Sequence, residues 1–316
     1  MTSLSPSNPG LKRLRRLSRR RSSRSAEGAF VVHGPVLVAE AFAAGTEVEA
    51  VYAEAAGMTA AVTETARASG VPVHEVADGG LRKVLDVVEP QDLVAVARHR
   101  PAALDDLVSA TALGAGPLVV LVAVGDPGNA GTVIRSAEAA GCAGVVLTEG
   151  SVDPYNPKAV RATAGSIFRM PVSEGVPFPT IVDACQRAGV ATWAMVGEDG
   201  TVLDDVDLTG PVALVIGNEA HGLTEPQAAA CSARLSIPMS GSVESLNAAV
   251  SAAVVMFEAA RQRRSGAEPT SRPDHPVGHN EHRSHDPDPA AGSGRTESNG
   301  PPPPSPPPTL PTGAHE

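Results

Sequence analysis

The stretch from Leu235 to Glu258 reads LSIPMSGSVESLNAAVSAAVVMFE. Leu235 to Met239 has the length and composition of a short buried strand. Ser240, Gly241, Ser242, Glu244 and Ser245 then form a polar loop, and from about Leu246 small apolar residues recur at helical spacing. Ser and Asn ahead of a helix do ordinary capping, and the same placement leaves the first backbone N–H groups free for the polar edge of a ligand. Capping accounts for this stretch taken alone. Two further Gly- and Asn-bearing loops at the ends of apolar runs upstream make it one of a set.

The first of these follows PLVVLVAV (117–124), a continuous apolar run of the kind buried on both faces of a parallel sheet. A Gly-rich turn, GDPGNAG (125–131), leads to a helix in TVIRSAEAAG and a second buried strand in GVVLTEG, which together make a βαβ unit. A dinucleotide-binding reading competes here, since Glu149 lies near the place of a ribose-binding acid. The glycines, however, are spaced GxxGxxG, and Pro127 sits inside the turn. Beyond Glu149 come a Pro-bounded loop, a helix bearing Lys158 and Arg161, and a strand. A helix to about Gly189, a strand in ATWAMVG and an acidic turn follow. The buried strand PVALVIG then opens into Asn218, Glu219, Ala220, His221 and Gly222. Such a polar loop after a buried strand is where open α/β sheets keep their ligands.

The N-terminal part is organised differently. Residues 1–25 include LKRLRRLSRRRSSR (11–24) and read as a basic, partly flexible arm, either a solvated tail or a phosphate contact. In residues 26–100, AFVVHG, VEAVYAE, VPVHEV and DLVAVARH read as strands, and the segments between them have helical spacing closed by Gly45 and Gly70, which makes a small α/β domain. His33 and His74 lack metal-ligand companions and read as structural or surface residues. Residues 101–116 read as a linker and 117–264 as a second α/β domain. Residues 265–316 end in PPPPSPPPTLPTGAHE and read as a disordered tail with polyproline II character.

Composition narrows the class. The 316 residues are 42% hydrophobic, enough for two cores, but only 3% aromatic, so those cores are built from Ala, Val, Leu and Ile. Cys142, Cys185 and Cys231 match no zinc spacing. No metal site is expected, and the cysteines read as buried apolar residues of a reducing compartment. No apolar run approaches the roughly 20 residues of a membrane helix, and the basic N-terminus lacks the apolar core of a secretory signal. A soluble, cytoplasmic protein is expected. The net charge of −10 argues against nucleic acid only on average, because the cations are massed at the N-terminus.

DPGNAGTVIRSAEAAG (126–141), LVIGNEAHGLTE (214–225) and SIPMSGSVESLNAAVSAAVVMFE (236–258) resemble, in order, the three motifs of the SpoU-type branch of the SPOUT RNA methyltransferases. DPYNPKAVRATAGSIFRMPV (153–172) is similar too, and the likeness covers about Leu118 to Arg264. The N-terminal domain resembles, more loosely, the substrate-binding domain that many members carry. There the family often has Glu ahead of the Gly of VVHGPVLV, where this chain has His33.

The resemblance implies an α/β fold with a C-terminal trefoil knot and a homodimer. It implies S-adenosylmethionine as methyl donor and a ribose 2′-hydroxyl of RNA as acceptor, with large-subunit ribosomal RNA ahead of transfer RNA. It places Gly217, Ile237, Met239 and Leu246 at the cofactor and Asn129, Arg135, Glu219, Ser245 and Asn247 at the reacting groups. Arg135, one and a half turns into its helix on this reading, suits a bidentate phosphate contact and is a poor base. The proton acceptor is then a phosphate, Glu219 or water. Asn129 orients ribose or Arg135, and Ser245 and Asn247 donate hydrogen bonds; turn and capping chemistry is their plainer role. A noncatalytic RNA-binding protein that keeps the fold is the alternative class.

Overall fold

Two β-sheets form where the apolar and β-branched runs lie. The computed structural model describes residues 4, 8–85, 91–241 and 245–266, all within one contact unit that spans residues 1–270. Ser242 and Glu244 of the third loop and residues 267–316, where the Pro-rich tail is expected, lie outside the described residues.

The first sheet holds β1 (Ala29–His33), β2 (Val48–Ala53), β3 (Val73–Glu75) and β4 (Leu93–Arg98), in the order β1-β4-β2-β3. β4 runs antiparallel to β1 and β2, and β3 parallel to β2. Alternation divides their side chains between two faces. Ala29, Val31, Tyr52, Val94 and Val96 point into one core, Phe30, Val32, Val51, Ala95 and Ala97 into the other. Helices Pro9–Arg19 and Gly80–Leu85 cover the first face. Pro35–Ala43 and Ala61–Ala68 cover the second.

The segment expected to be a flexible arm is therefore helical from Pro9. Leu11, Leu14 and Leu17 recur every third residue and are buried at 1%, 0% and 0% exposure. Asn8 caps the helix, its Oδ1 accepting from Gly10 N at 2.8 Å, with Pro9 at the first helical position. A second helix, Arg21–Glu27, ends on Gly28 at φ +59. Basic composition hid a leucine stripe that spacing alone reveals.

The second sheet holds β5 (Leu118–Leu121), β6 (Gly144–Thr148), β7 (Val172–Val176), β8 (Ala191–Met195), β9 (Thr201–Val202), β10 (Val212–Ile216) and β11 (Ala233–Ser236). Their order is β7-β6-β5-β10-β8-β11-β9, and every pairing is parallel. Helices Pro127–Ala140, Pro157–Ala162 and Ala248–Gly266 pack on one face. Leu104–Ala112 and Phe178–Arg187 pack on the other. Burial on both faces explains why LVVL and VALVI are unbroken apolar runs.

Four sequence boundaries move. Residues 101–116 are not a bare linker, because helix Leu104–Ala112 buries Leu107 and Val108 on the second sheet. Helix Pro127–Ala140 begins inside the Gly-rich segment, with Asp126 as its cap and Pro127 at its first position, so Arg135 lies more than two turns in. β11 ends at Ser236, and residues 237–239 leave the sheet. The last helix starts at Ala248, two residues later than expected.

Ion pairs join the two sheets. Arg24 donates from Nε to Asp153 Oδ2 at 2.6 Å with both side chains almost fully buried, and Arg21 reaches Ser151 O and Glu174. Arg169 bridges Glu40 and Glu138. Phe30 packs on Tyr155, whose ring stacks on His99 with centroids 3.8 Å apart. Cys142 and Cys185 are buried, which pushes their thiols up to about 12 and about 11; Cys231 is half-buried. Among the described residues no helix is long and apolar enough to cross a membrane, and no cluster of His, Cys, Asp and Glu is placed to hold a metal ion.

Candidate active site

Strand order in the parallel sheet reverses at β5: the chain steps outward through β6 and β7, then returns to set β10 on the other side of β5. Open α/β sheets bind ligands at such a switch point, beyond the carboxyl ends of the strands. Here a cleft of about 260 Å³ opens beyond β10, β8 and β11. Its apolar wall includes Met195, Ile216, Leu235, Ile237, Met239 and Leu246, and its polar wall is the loop from Gly217 to Gly222. Ser245, Ala248 and Ser251, at the start of the last helix, close it. The volume lies just below the usual small-ligand range.

Each loop has a local reason for its shape. Asn218 and Gly222 exchange backbone hydrogen bonds at 3.1 and 2.9 Å, and the Asn218 Oδ1 accepts from Ala220 N and His221 N. Gly217 is required there: a Cβ would lie 2.2 Å from the Gly222 carbonyl carbon. Asn218 Nδ2 donates to Ala123 O at 2.8 Å. Ala123 itself holds φ +51, a strained conformation for a residue with a Cβ, of the kind that gathers at functional edges.

A chain of hydrogen bonds ties the three motifs together. Asn247 Nδ2 donates to Asn129 Oδ1 at 3.0 Å, and Asn129 Nδ2 donates to Glu219 Oε1 at 3.0 Å. The Glu219 carboxylate also accepts from Gly125 N and Asp126 N, each at 3.0 Å. Burial pushes the Glu219 carboxyl up, but the bonds from Asn129, Gly125 and Asp126 outweigh it and hold it below the usual carboxylate range. Asn247 Oδ1 accepts from Ala249 N and Val250 N and so caps the last helix. Asp126, paired to Lys158 at 2.9 Å, caps helix Pro127–Ala140 by accepting from Asn129 N.

Gly217, Ile237, Met239 and Leu246 all line the cleft, and so do Glu219 and Ser245. Asn129 and Asn247 stand beside it through the hydrogen-bond chain. Arg135 is not in the lining. It is exposed on its helix, and its side chain makes no hydrogen bond or ion pair among the described residues. That helix packs closely on Pro157–Ala162, where a Cβ on Gly131 would lie 2.5 Å from Ala159 O. Sequence reasoning did not single out Met195, Val196 and Gly197, which line the cleft after β8. The signal was present: MVG ends a buried strand of a parallel sheet, as LVIG does.

A parallel sheet covered on both faces, with a cleft beyond the carboxyl ends of β8, β10 and β11 and a small α/β domain ahead of it, defines a two-domain α/β enzyme for a ligand with an apolar body and polar edges. The chain belongs to the SpoU rRNA methylase family. That family matches residues 116–257, and an MRM3-like substrate binding domain matches residues 8–95. An uncharacterized tRNA/rRNA methyltransferase of Mycobacterium sp. strain KMS is 32% identical over 270 residues, covering 82% of this chain and 86% of the relative. The 23S rRNA (uridine(2479)-2′-O)-methyltransferase of Streptomyces viridochromogenes is 41% identical over 151 residues, 46% of this chain and 52% of that one. Among solved structures, an AdoMet-bound rRNA methyltransferase from Sinorhizobium meliloti superposes with a TM-score of 0.73 at 30% identity, covering 82% of this chain and 97% of that one. The SpoU methyltransferase AviRb from Streptomyces viridochromogenes, in complex with AdoMet, gives 0.72 at 30% identity, covering 82% and 100%. Membership makes this chain an RNA methyltransferase with S-adenosylmethionine as its donor. The His33 departure does not take the N-terminal domain out of the match.

Proposed function

We propose that this protein methylates a ribose 2′-hydroxyl of large-subunit ribosomal RNA, in the cytoplasm and as a homodimer. The observation that carries the reading is the single cleft lined by Gly217, Ile237, Met239, Ser245 and Leu246, with Asn129, Glu219 and Asn247 tying its loops together. Ribosomal RNA is favoured because the 23S relative is 41% identical over 151 residues.

Bound in the cleft, S-adenosylmethionine supplies a methyl group already activated by its sulfonium. The apolar wall of Met195, Ile216, Leu235, Ile237, Met239 and Leu246 would hold its apolar body, and the backbone of the 217–222 loop would meet its polar edges. Arg135, exposed and unpaired among the described residues, fits an RNA phosphate with its planar fork and orients the ribose oxygen. Glu219 fits the part of proton acceptor worst of the three candidates, since three donors already occupy and ionise it. Its role in this reading is to hold the first turn of helix Pro127–Ala140 against the cleft, while a substrate phosphate or water takes the proton. The knotted threading implied by the resemblance belongs to the same reading.

The test is transfer of labelled methyl from S-adenosylmethionine to unmodified ribosomal and transfer RNA, followed by mapping of the product. One 2′-O-methyl ribose in large-subunit RNA is expected. Label confined to transfer RNA, or to a base, overturns the assignment.

A further inference from the structure

Eight cations and no carboxylate lie between Lys12 and Arg24, in a chain whose net charge is −10. The structure sorts six of them. Arg13 and Arg16 are held by Glu27 and Glu49, Arg21 by Ser151 O and Glu174, and Arg24 by Asp153. These four build the fold. Lys12 and Arg15 do not: both are exposed, and neither side chain makes a hydrogen bond or ion pair among the described residues. Three residues apart, they are neighbours on the helix surface opposite the leucine stripe.

Helix Gly80–Leu85 packs beside Pro9–Arg19 and buries Leu81, Val84 and Leu85 in the same core. Its Arg82 and Lys83 are exposed and likewise unpaired among the described residues. We propose that these two helices form a second RNA contact, one that grips the phosphate backbone and reads no sequence; the proposal rests on the assignment of the protein as an RNA methyltransferase.

Three properties of the surface carry this. Like charges crowded on one segment repel, so Lys12 and Arg15 bring no stability to offset that cost. The helices that bear the four cations are fixed by buried leucines, so the charges sit on a firm platform. None of the exposed large hydrophobic residues lies on either helix, so the surface lacks both the apolar core of a protein interface and the aromatic platforms that stack bases. Phosphate is what remains for it to recognise.

Placement adds a consequence. Side chains on the other face of the first sheet, Phe30 among them, pack on Tyr155 and Phe168 of the methyltransferase domain. The basic surface is thus on the opposite side of that sheet, and an RNA touching both it and the cleft is large and folded. Removing its cations therefore raises KM for RNA and leaves kcat at saturating RNA unchanged.

The test uses the full chain with the double substitutions Lys12→Ala/Arg15→Ala and Arg82→Ala/Lys83→Ala. Binding is measured to deproteinised ribosomal RNA and to a duplex of unrelated sequence across a range of salt. Each double variant is expected to weaken both RNAs on the order of tenfold near physiological salt, and to lower the slope of log K against log salt by about 2. S-adenosylmethionine binding by calorimetry stays at the parent value. Unchanged affinity and slope in both double variants overturn the proposal, as does a loss confined to ribosomal RNA, which marks a sequence-reading contact. Absence of methyl transfer by the unsubstituted protein strikes the enzymatic assignment instead, and the RNA-binding comparison stays readable.

Discussion

Asn129 donates from Nδ2 to Oε1 of Glu219 at 3.0 Å, joining the start of one helix to the loop after β10. Because Glu219 also receives Gly125 N and Asp126 N, the pair fixes where helix Pro127–Ala140 begins relative to the cleft. Glu219→Ala leaves two backbone donors and the Asn129 amide without their acceptor. A misplacement of an ångström at a reacting centre costs on the order of 10² in rate, and a kcat loss of that order is expected in single-turnover transfer. Held below the usual carboxylate range, Glu219 stays ionised throughout neutral assays. The wild-type kcat should therefore show no limb through the carboxylate range; a limb that vanishes in Glu219→Gln identifies Glu219 as the base.

The strands of the parallel sheet and the cleft residues of the second and third motifs were legible because burial on both faces leaves unbroken apolar runs and ligand loops follow them. What escaped was local. GDPGNAG looks like a turn by composition, yet Pro127 suits the first helical position and Asp126 the cap, so the helix starts there. Ile237 to Met239 are as apolar as a strand but belong to the cleft, a distinction made by the sheet's edge and invisible in hydropathy. Helix Glu225–Ala230 has a capping box, Thr224 with Gln227, too short a signal to notice beside its neighbours. The network of Asn129, Glu219 and Asn247 depends on tertiary approach across 90 and 118 residues, which no local pattern encodes.

The Arg24–Asp153 pair is a test of how the two sheets are held together. Both side chains are nearly inaccessible, at 3% and 6% exposure, and Arg24 also donates to Leu17 O. Asp153→Ala strands a buried guanidinium, and the expected loss is about 3–5 kcal/mol by urea unfolding. The double change Arg24→Met/Asp153→Leu removes both charges and should recover much of that loss. Equal destabilisation by the single and the double changes would show that packing, not the stranded charge, sets the cost.

His33 supplies a pH dependence. It ends β1 against helix Pro157–Ala162, and its Nε2 is buried without a hydrogen-bond partner among the described residues. Burial first, and the Arg161 charge second, lower its pKa to about 4 from 6.5. The folded protein therefore keeps His33 neutral while the unfolded chain binds the extra proton between those values. Stability from this group is complete above pH 6.5 and is lost as pH falls toward 4, by about 3 kcal/mol at most. His99, lowered to about 4 chiefly by burial, acts in the same window. Unfolding free energy measured across pH 4–7 should rise with pH, and His33→Gln should reduce the slope without abolishing it.

The last helix tests the homodimer. Val250, Val254 and Phe257 are 48%, 39% and 46% exposed on a helix whose other side is core, and Met239 and Leu246 are exposed near its start. Such a stripe fits an interface between copies of the chain. Light scattering should give the mass of a dimer, and Val254→Glu/Phe257→Glu should give a monomer that keeps its helical circular dichroism. A monomeric parent protein at working concentration sinks the dimer.

Arg135 separates substrate positioning from cofactor binding. It stands more than two turns into helix Pro127–Ala140, exposed, unpaired among the described residues and outside the cleft lining, whereas Gly217, Ile237, Met239 and Leu246 are in it. Removing its side chain should leave the cleft intact. Arg135→Ala takes away a charge-assisted phosphate contact and electrostatic help to the forming oxyanion, and the loss of a preorganised donor of this kind is on the order of 10²–10³ in rate. Arg135→Lys should rescue poorly, since it keeps the charge and loses the planar fork. Calorimetry with S-adenosylmethionine and single-turnover transfer to RNA on the same protein decide the matter. Unchanged cofactor affinity with crippled transfer is expected; near-normal transfer, or a defect fully explained by weaker cofactor binding, puts Arg135 in another role.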